Sequence, residues 1–349
     1  MRVLIVRLSS LGDVVHTIPV AAALRRHFPD VTIDWVVDEA SAGLLSLVPV
    51  IDHSIVLWSK SASTMSAWMT LWRELRGGHY DVALDVQGLG KSAIVARLSG
   101  AARVIGFTGP FLREAWAGWF YSEAADPGDP VHVMERNLGI LTALGITDST
   151  RAFPIELEDV GIVDETRACL GDSSQPFALL NPNAAWPNKC WPTDRFGAVA
   201  AYIHEAHGLR TVVIWGPADQ ARADAVVAAS SGAAVRAPRT SLVELASLLK
   251  AGVLLVSGDT GPLHMAAAVG TPVVGVYGPS DPVRNGPWSP RDEVVSVSGD
   301  CSCLQRYAQR GAVGLVRRCE HTTWCLEGVS VDDVCAAIDR GFASTVAHA

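Results

Sequence analysis

The sequence predicts an α/β protein made of two doubly wound domains, each built on a parallel sheet. Three observations carry that prediction. Short apolar runs alternate with helical segments twice along the 349 residues. A polar, acidic stretch near residues 155–175 separates the two series. At 49% hydrophobic and 18% charged residues, the chain has enough apolar material for two cores.

Residues 3–6, 32–37, 54–57, 82–86 and 103–107 read as the strands of the first half, with helices over segments such as 14–28 and 66–75. Residues 177–180, 211–215, 253–257, 273–277 and 294–297 read as the strands of the second half. These runs are apolar throughout, as expected for strands covered on both faces. Strand–helix–strand order implies parallel pairing through right-handed crossovers. The expected division is a first domain at 1–160, a second at 175–328 and a terminal helical segment at 329–349. The acidic stretch reads as a linker. The carboxyl ends of both sheets are expected to line a central cleft.

A net charge of -8 excludes general nucleic-acid binding, so no nucleic-acid partner is expected. No apolar run is long enough to span a bilayer. Residues 1–6 read as a first strand and not as a signal peptide, so a cytoplasmic protein is expected. In that compartment the seven Cys read as reduced thiols or metal ligands.

Three loops hold the chemistry. Gly258-Asp259-Thr260-Gly261-Pro262-Leu263-His264 follows a strand and opens a helix. Unpaired N–H groups and the positive end of the helix dipole collect there, which suits a phosphate. Pro262 fits the first turn, where its missing N–H is not needed. Asp259 is also suited to be an ordinary cap. After the first strand comes Ser9-Ser10-Leu11-Gly12-Asp13. Asp13 is either a helix cap or a general base that takes the proton of a sugar hydroxyl. Lys189, in the loop after the first strand of the second half, is either a solvated surface residue or a cation for a leaving diphosphate. The chain has no Asp-x-Asp pair to hold a divalent metal against a sugar nucleotide. A metal-independent departure would therefore rely on Lys189 and helix N-termini.

Two motifs fail. Gly90-Lys91-Ser92 matches the end of a phosphate loop, but position 85, where the pattern needs Gly, is Asp85. Gly88-x-Gly90-x-x-Ala93 matches a loose dinucleotide fingerprint without its later acidic residue.

Taken together, Ser9 to Asp13, Lys189 with its Trp-Pro neighbour, and Asp259 to His264 followed by Tyr277-Gly278-Pro279 resemble glycosyltransferase family 9, the heptosyltransferases of lipopolysaccharide core assembly. The resemblance covers nearly the whole chain in order. Asp85 to Ser92, Arg113-Glu114 and His132 to Arg136 look most like the branch that adds the first heptose to the Kdo region of lipid A. It implies a GT-B fold of two Rossmann-like domains, an ADP-heptose donor and inversion without a required cofactor. It implies Asp13 as base and Lys189 at the donor phosphates. Asp259, Thr260, Gly261, Pro262, Leu263 and His264 would bind the donor, with Asp219 near its ribose. Ser9, Ser10, Gly12, Lys91, Arg113 and Arg136 would meet a lipid A–Kdo acceptor, at the cytoplasmic face of the inner membrane and in transient contact with its surface. The stretch after Trp58 departs from the pattern: Lys60 is the lone cation there. Cys301, Cys303, Cys319 and Cys325 leave a structural metal site open, since some protein-glycosylating relatives carry Cys-bound iron.

Overall fold

The computed structural model describes residues 1–58, 65–158, 160–171, 175–309 and 324–347. The chain divides into two compact units, Met1–Glu156 and Leu157–Ala349.

In the first unit, β1 (Arg2–Val6), β2 (Thr32–Asp38), β3 (His53–Leu57), β4 (Val82–Asp85), β5 (Arg103–Phe107) and β6 (Glu123–Ala125) form one sheet in the order β3-β2-β1-β4-β5-β6. Every pairing is parallel; Ile5 lies opposite Trp35 on one side and Leu84 on the other. Val3, Leu4, Ile5 and Val6 are fully buried, as a central strand covered on both faces requires. The chain winds outward from β1 to β3, then crosses back to β4 on the other side of β1. The loops after β1 and β4 therefore leave the sheet edge in opposite directions, which opens a crevice at the carboxyl ends of these two strands.

The second unit repeats this plan. Its strands are β7 (Phe177–Asn181), β8 (Arg210–Val213), β9 (Ala234–Arg236), β10 (Leu255–Gly258), β11 (Val273–Tyr277) and β12 (Glu293–Ser296), in the order β12-β11-β10-β7-β8-β9. Its reversal lies between β7 and β10.

Four features differ from the sequence expectation. The edge strands β6 and β9 were not expected; each has three residues, too few to show a pattern. The expected helix over 14–28 is two helices, Leu11–Val15 and Ile18–His27, because Pro19 has no N–H for a continuous ladder. Thr17 Oγ1 instead donates to the Asp13 carbonyl at 2.9 Å.

The third difference lies in the expected linker, which contains the helix Ile162–Leu170. Ile162, Thr166 and Leu170 form its one buried stripe, while Asp164 and Glu165 occupy the first turn, where the helix dipole favours acids. Asp164, Glu165, Thr166 and Arg167 in its middle give the segment its polar look.

The fourth is the terminal helix, expected on the first domain. Val331–Ala347 instead packs within the second unit. Val334, Cys335, Ala337 and Ile338 join the cluster around Trp191, Phe196, Val199 and Ile203. The Tyr202 hydroxyl donates to Asp339 at 2.8 Å, and Arg340 pairs with Glu293 at 2.9 Å.

Ile338→Ala should therefore lower stability by about 2–5 kcal/mol, the usual loss for a fully buried aliphatic side chain. Trp119→Ala, at a side chain that is 85% exposed, should change it by less than about 0.5 kcal/mol. Urea unfolding of the two variants checks the contrast; equal shifts would contradict the packing.

Candidate active site

The first cluster sits at the β1/β4 reversal. β1 ends in four buried apolar residues, and the chain then buries Arg7 completely. Its Nη1 donates to the Val86 carbonyl at 2.7 Å, and its Nη2 lies 2.5 Å from Asp13 Oδ1. Asp13 stands in the first turn of the helix Leu11–Val15. There Asp13 Oδ2 accepts the Ser10 backbone N–H at 3.1 Å and the Ser10 hydroxyl at 3.2 Å. Ser10 is thus the N-cap and Asp13, at the third helical position, completes a capping box while pairing with Arg7. Arg113 Nη2 approaches the same carboxylate at 3.4 and 3.5 Å. Burial pushes the Asp13 carboxyl up, but Arg7, Arg113 and the Ser10 N–H outweigh it and hold the group far below the usual carboxylate range. These cations favour the carboxylate form of Asp13 and by the same effect weaken it as a base.

A second network, centred on Asp85, shapes the loop after β4. Buried Asp85 accepts the Gln87 and Gly88 N–H groups at 2.9 and 3.2 Å, the Ser92 hydroxyl at 2.9 Å and the Tyr121 hydroxyl at 2.7 Å. Burial raises its carboxyl against the pull of these bonds. Gly88 turns at φ 70°, a conformation that favours glycine. Its carbonyl accepts the Arg113 N–H at 3.0 Å and the Glu114 N–H at 3.2 Å, and Glu114 Oε2 takes the Gly90 N–H at 2.7 Å. The Asp85 loop thereby fixes the backbone that carries Arg113. The Gln87 side chain accepts the Leu8 N–H at 2.8 Å and ties this loop to the one after β1.

The third cluster sits at the β7/β10 reversal of the second unit. Lys189 Nζ donates to Asp259 Oδ2 at 2.5 Å and to the Asp259 carbonyl at 3.0 Å. His264 Nε2 lies 3.1 Å from Asp259 Oδ1. Burial raises the Asp259 carboxyl, but His264 and Lys189 outweigh it and hold the group well below the carboxylate range. An ammonium has three N–H groups, so two bonds to Asp259 leave a third for a ligand. Thr260 stands at the N-cap of the helix Gly261–Ala268, with Pro262 in its first turn. Asn181, the last residue of β7, donates to the Ser257 and Thr260 hydroxyls at 3.0 Å each. The Lys189 loop is anchored by Trp191, whose indole donates to the Val329 carbonyl at 3.1 Å. A part-buried ammonium beside a helix N-terminus at a sheet reversal suits an anionic ligand.

Several expected site residues stand apart. Lys91 is exposed in the first turn of the helix Gly90–Leu98. Arg136 is only 8% exposed; it lies over the Phe107 ring and donates to Asn137 Oδ1 at 3.3 Å. Asp219 follows β8 at the N-cap of the helix Gln220–Ala229, outside the Lys189–Asp259–His264 cluster. Cys301 and Cys303 are buried and pack with Cys325, while Cys319 lies outside the described residues. Among the described residues, no three His, Cys, Asp or Glu side chains form a metal-ligating group.

The sequence reading missed Arg7, Asn181 and the anchoring role of Asp85. Arg7 had a visible signal: a charged residue directly after a run that can only be central strand.

Residues 68–311 match the family described as glycosyltransferase family 9 (heptosyltransferase). The chain is 32% identical over 321 residues to lipopolysaccharide heptosyltransferase 1 of Pseudomonas aeruginosa, covering 88% of this chain and 87% of that one. It is 28% identical to lipopolysaccharide heptosyltransferase 3 of Escherichia coli K12, covering 80% and 83%. The structure of the E. coli heptosyltransferase WaaC with ADP superposes with a TM-score of 0.72 at 26% identity, covering 89% of this chain and all of that one. The two parallel-sheet domains are of the GT-B class shared by these enzymes. The chain is a glycosyltransferase and belongs to family 9, the heptosyltransferases.

Proposed function

We propose that the chain transfers L-glycero-D-manno-heptose from ADP-heptose to the Kdo region of a lipid A precursor, with inversion at the anomeric carbon and without a required metal. The observation that carries this reading is the Lys189–Asp259–His264 cluster beside the N-terminus of the helix Gly261–Ala268. Lys189 and the helix N–H groups supply the positive charge that a departing diphosphate needs. Asp13, ionised between two guanidinium groups, would take the proton of the attacking hydroxyl. The solved relative carries ADP, which supports an ADP-sugar donor.

Arg113 and Lys91 are exposed cations on the Asp13 unit and suit the anionic groups of the acceptor. Trp116 and Trp119, 41% and 85% exposed, stand on the 3-10 helix that follows Arg113. Such side chains favour a membrane–water interface and support transient contact with the inner membrane surface. Among the described residues no helix is long and apolar enough to cross a membrane. A heptose of the growing core is the alternative acceptor, favoured by the likeness to heptosyltransferase 3.

Offering ADP-heptose with Kdo-bearing lipid A, or with an already heptosylated core, tests the reading. Transfer to the first acceptor should persist in chelator; transfer to the second alone would move the chain to another step. Asp13→Asn should reduce kcat by roughly 10²–10⁴-fold while the ADP-heptose Kd stays within about twofold. An equal loss of donor affinity would make Asp13 structural. Lys189→Gln should weaken ADP-heptose binding and lower kcat together, by about tenfold or more each. Unchanged donor affinity in calorimetry would remove Lys189 from the donor site.

A further inference from the structure

Asp13 has two cationic neighbours of different kinds. Arg7 is fully buried, 2.5 Å from one carboxylate oxygen, and its other nitrogen is fixed on the Val86 carbonyl. No ligand can draw it away. Arg113 has a side chain that is 37% exposed and lies 3.4 and 3.5 Å from the two oxygens, at the long end for a hydrogen bond. Its backbone is fixed by the Gly88 carbonyl, and Glu114 beside it clamps Gly90. Arg113 therefore has a fixed root and a loosely held head. Each cation favours the carboxylate form of Asp13 and so weakens it as a base. A carboxylate or phosphate offers a guanidinium two short, parallel bonds, better than the contact with Asp13.

From this geometry, and resting on the reading of Arg113 as an acceptor-binding residue, we propose that Arg113 holds Asp13 in a weakly basic state until the anionic group of the acceptor draws its guanidinium away. Arg7 keeps Asp13 ionised and oriented throughout. In the reaction that follows, the acceptor oxygen bonds to the anomeric carbon and gives its proton to the Asp13 carboxylate. The bond from that carbon to the diphosphate oxygen breaks, and its electron pair leaves with ADP. Without the acceptor anion the base stays weak, so water is poorly activated and the donor is protected from hydrolysis.

The test is Arg113→Gln, with ADP-heptose and no acceptor. The variant should release ADP at least about threefold faster than the wild-type chain, because its base is stronger. Adding Asp13→Asn to the variant should abolish the gain. Arg113→Lys, which keeps a cation on the same fixed backbone, should show a smaller rise. With an acceptor whose carboxylates are methyl-esterified, the wild-type kcat should fall and the Arg113→Gln kcat should exceed it. A residue that only binds acceptor or supports the fold would give no such gain. Unchanged or slower acceptor-free ADP release, in a variant that keeps its ADP affinity and circular dichroism spectrum, would overturn the proposal. Wild-type transfer to the anionic acceptor, run alongside, reports separately on the proposed function.

Discussion

Parallel strands set the constraint on which everything else depends. Because each crossover returns the chain to the same end of the sheet, all six strands in a unit release their loops at one edge. Where the strand order reverses, between β1 and β4 and again between β7 and β10, adjacent loops diverge and leave room for chemistry. Arg7, Asp13, Asp85 and the Gly88 loop stand at the first reversal, and Asn181, Lys189 and Asp259 at the second. The apolar strands behind them carry no chemistry; they hold the loops in place.

Charge pairing is the second common theme. Both reversals bury a carboxylate that would otherwise be driven to take up a proton, and both keep it ionised with nearby cations. The pairings differ in their consequence. In the proposed reaction Asp13 is itself the proton acceptor, with Arg7 and Arg113 against its carboxylate. In the second unit the Asp259 carboxylate fixes the Lys189 ammonium, the group proposed to meet the donor phosphates.

Most of the architecture was legible because a buried parallel strand has an unmistakable composition. Runs such as Val3 to Val6 and Val273 to Val276 have no other reading when they alternate with helices. The three-residue strands β6 and β9 were hidden because their pairing comes from neighbours, not from their own pattern. The helix Ile162–Leu170 was hidden because only one side of it is buried. Asp13, Lys189, Asp259 and His264 were visible as unusual residues at strand ends. Their pairing was not, since Lys189 and Asp259 are brought together by two strands that are adjacent only in space. The setting of Arg136 was hidden too: a sequence shows its charge but not the Phe107 ring beneath it.

In the proposed single displacement, Asp13 takes a proton as the new bond forms and Lys189 steadies the departing ADP. The most direct measurement is the anomeric configuration of the transferred heptose, from the one-bond carbon–proton coupling of the purified product by NMR. A single displacement predicts the configuration opposite to that in ADP-heptose. Retention would require a covalent or otherwise two-step route and would contradict the role given to Asp13.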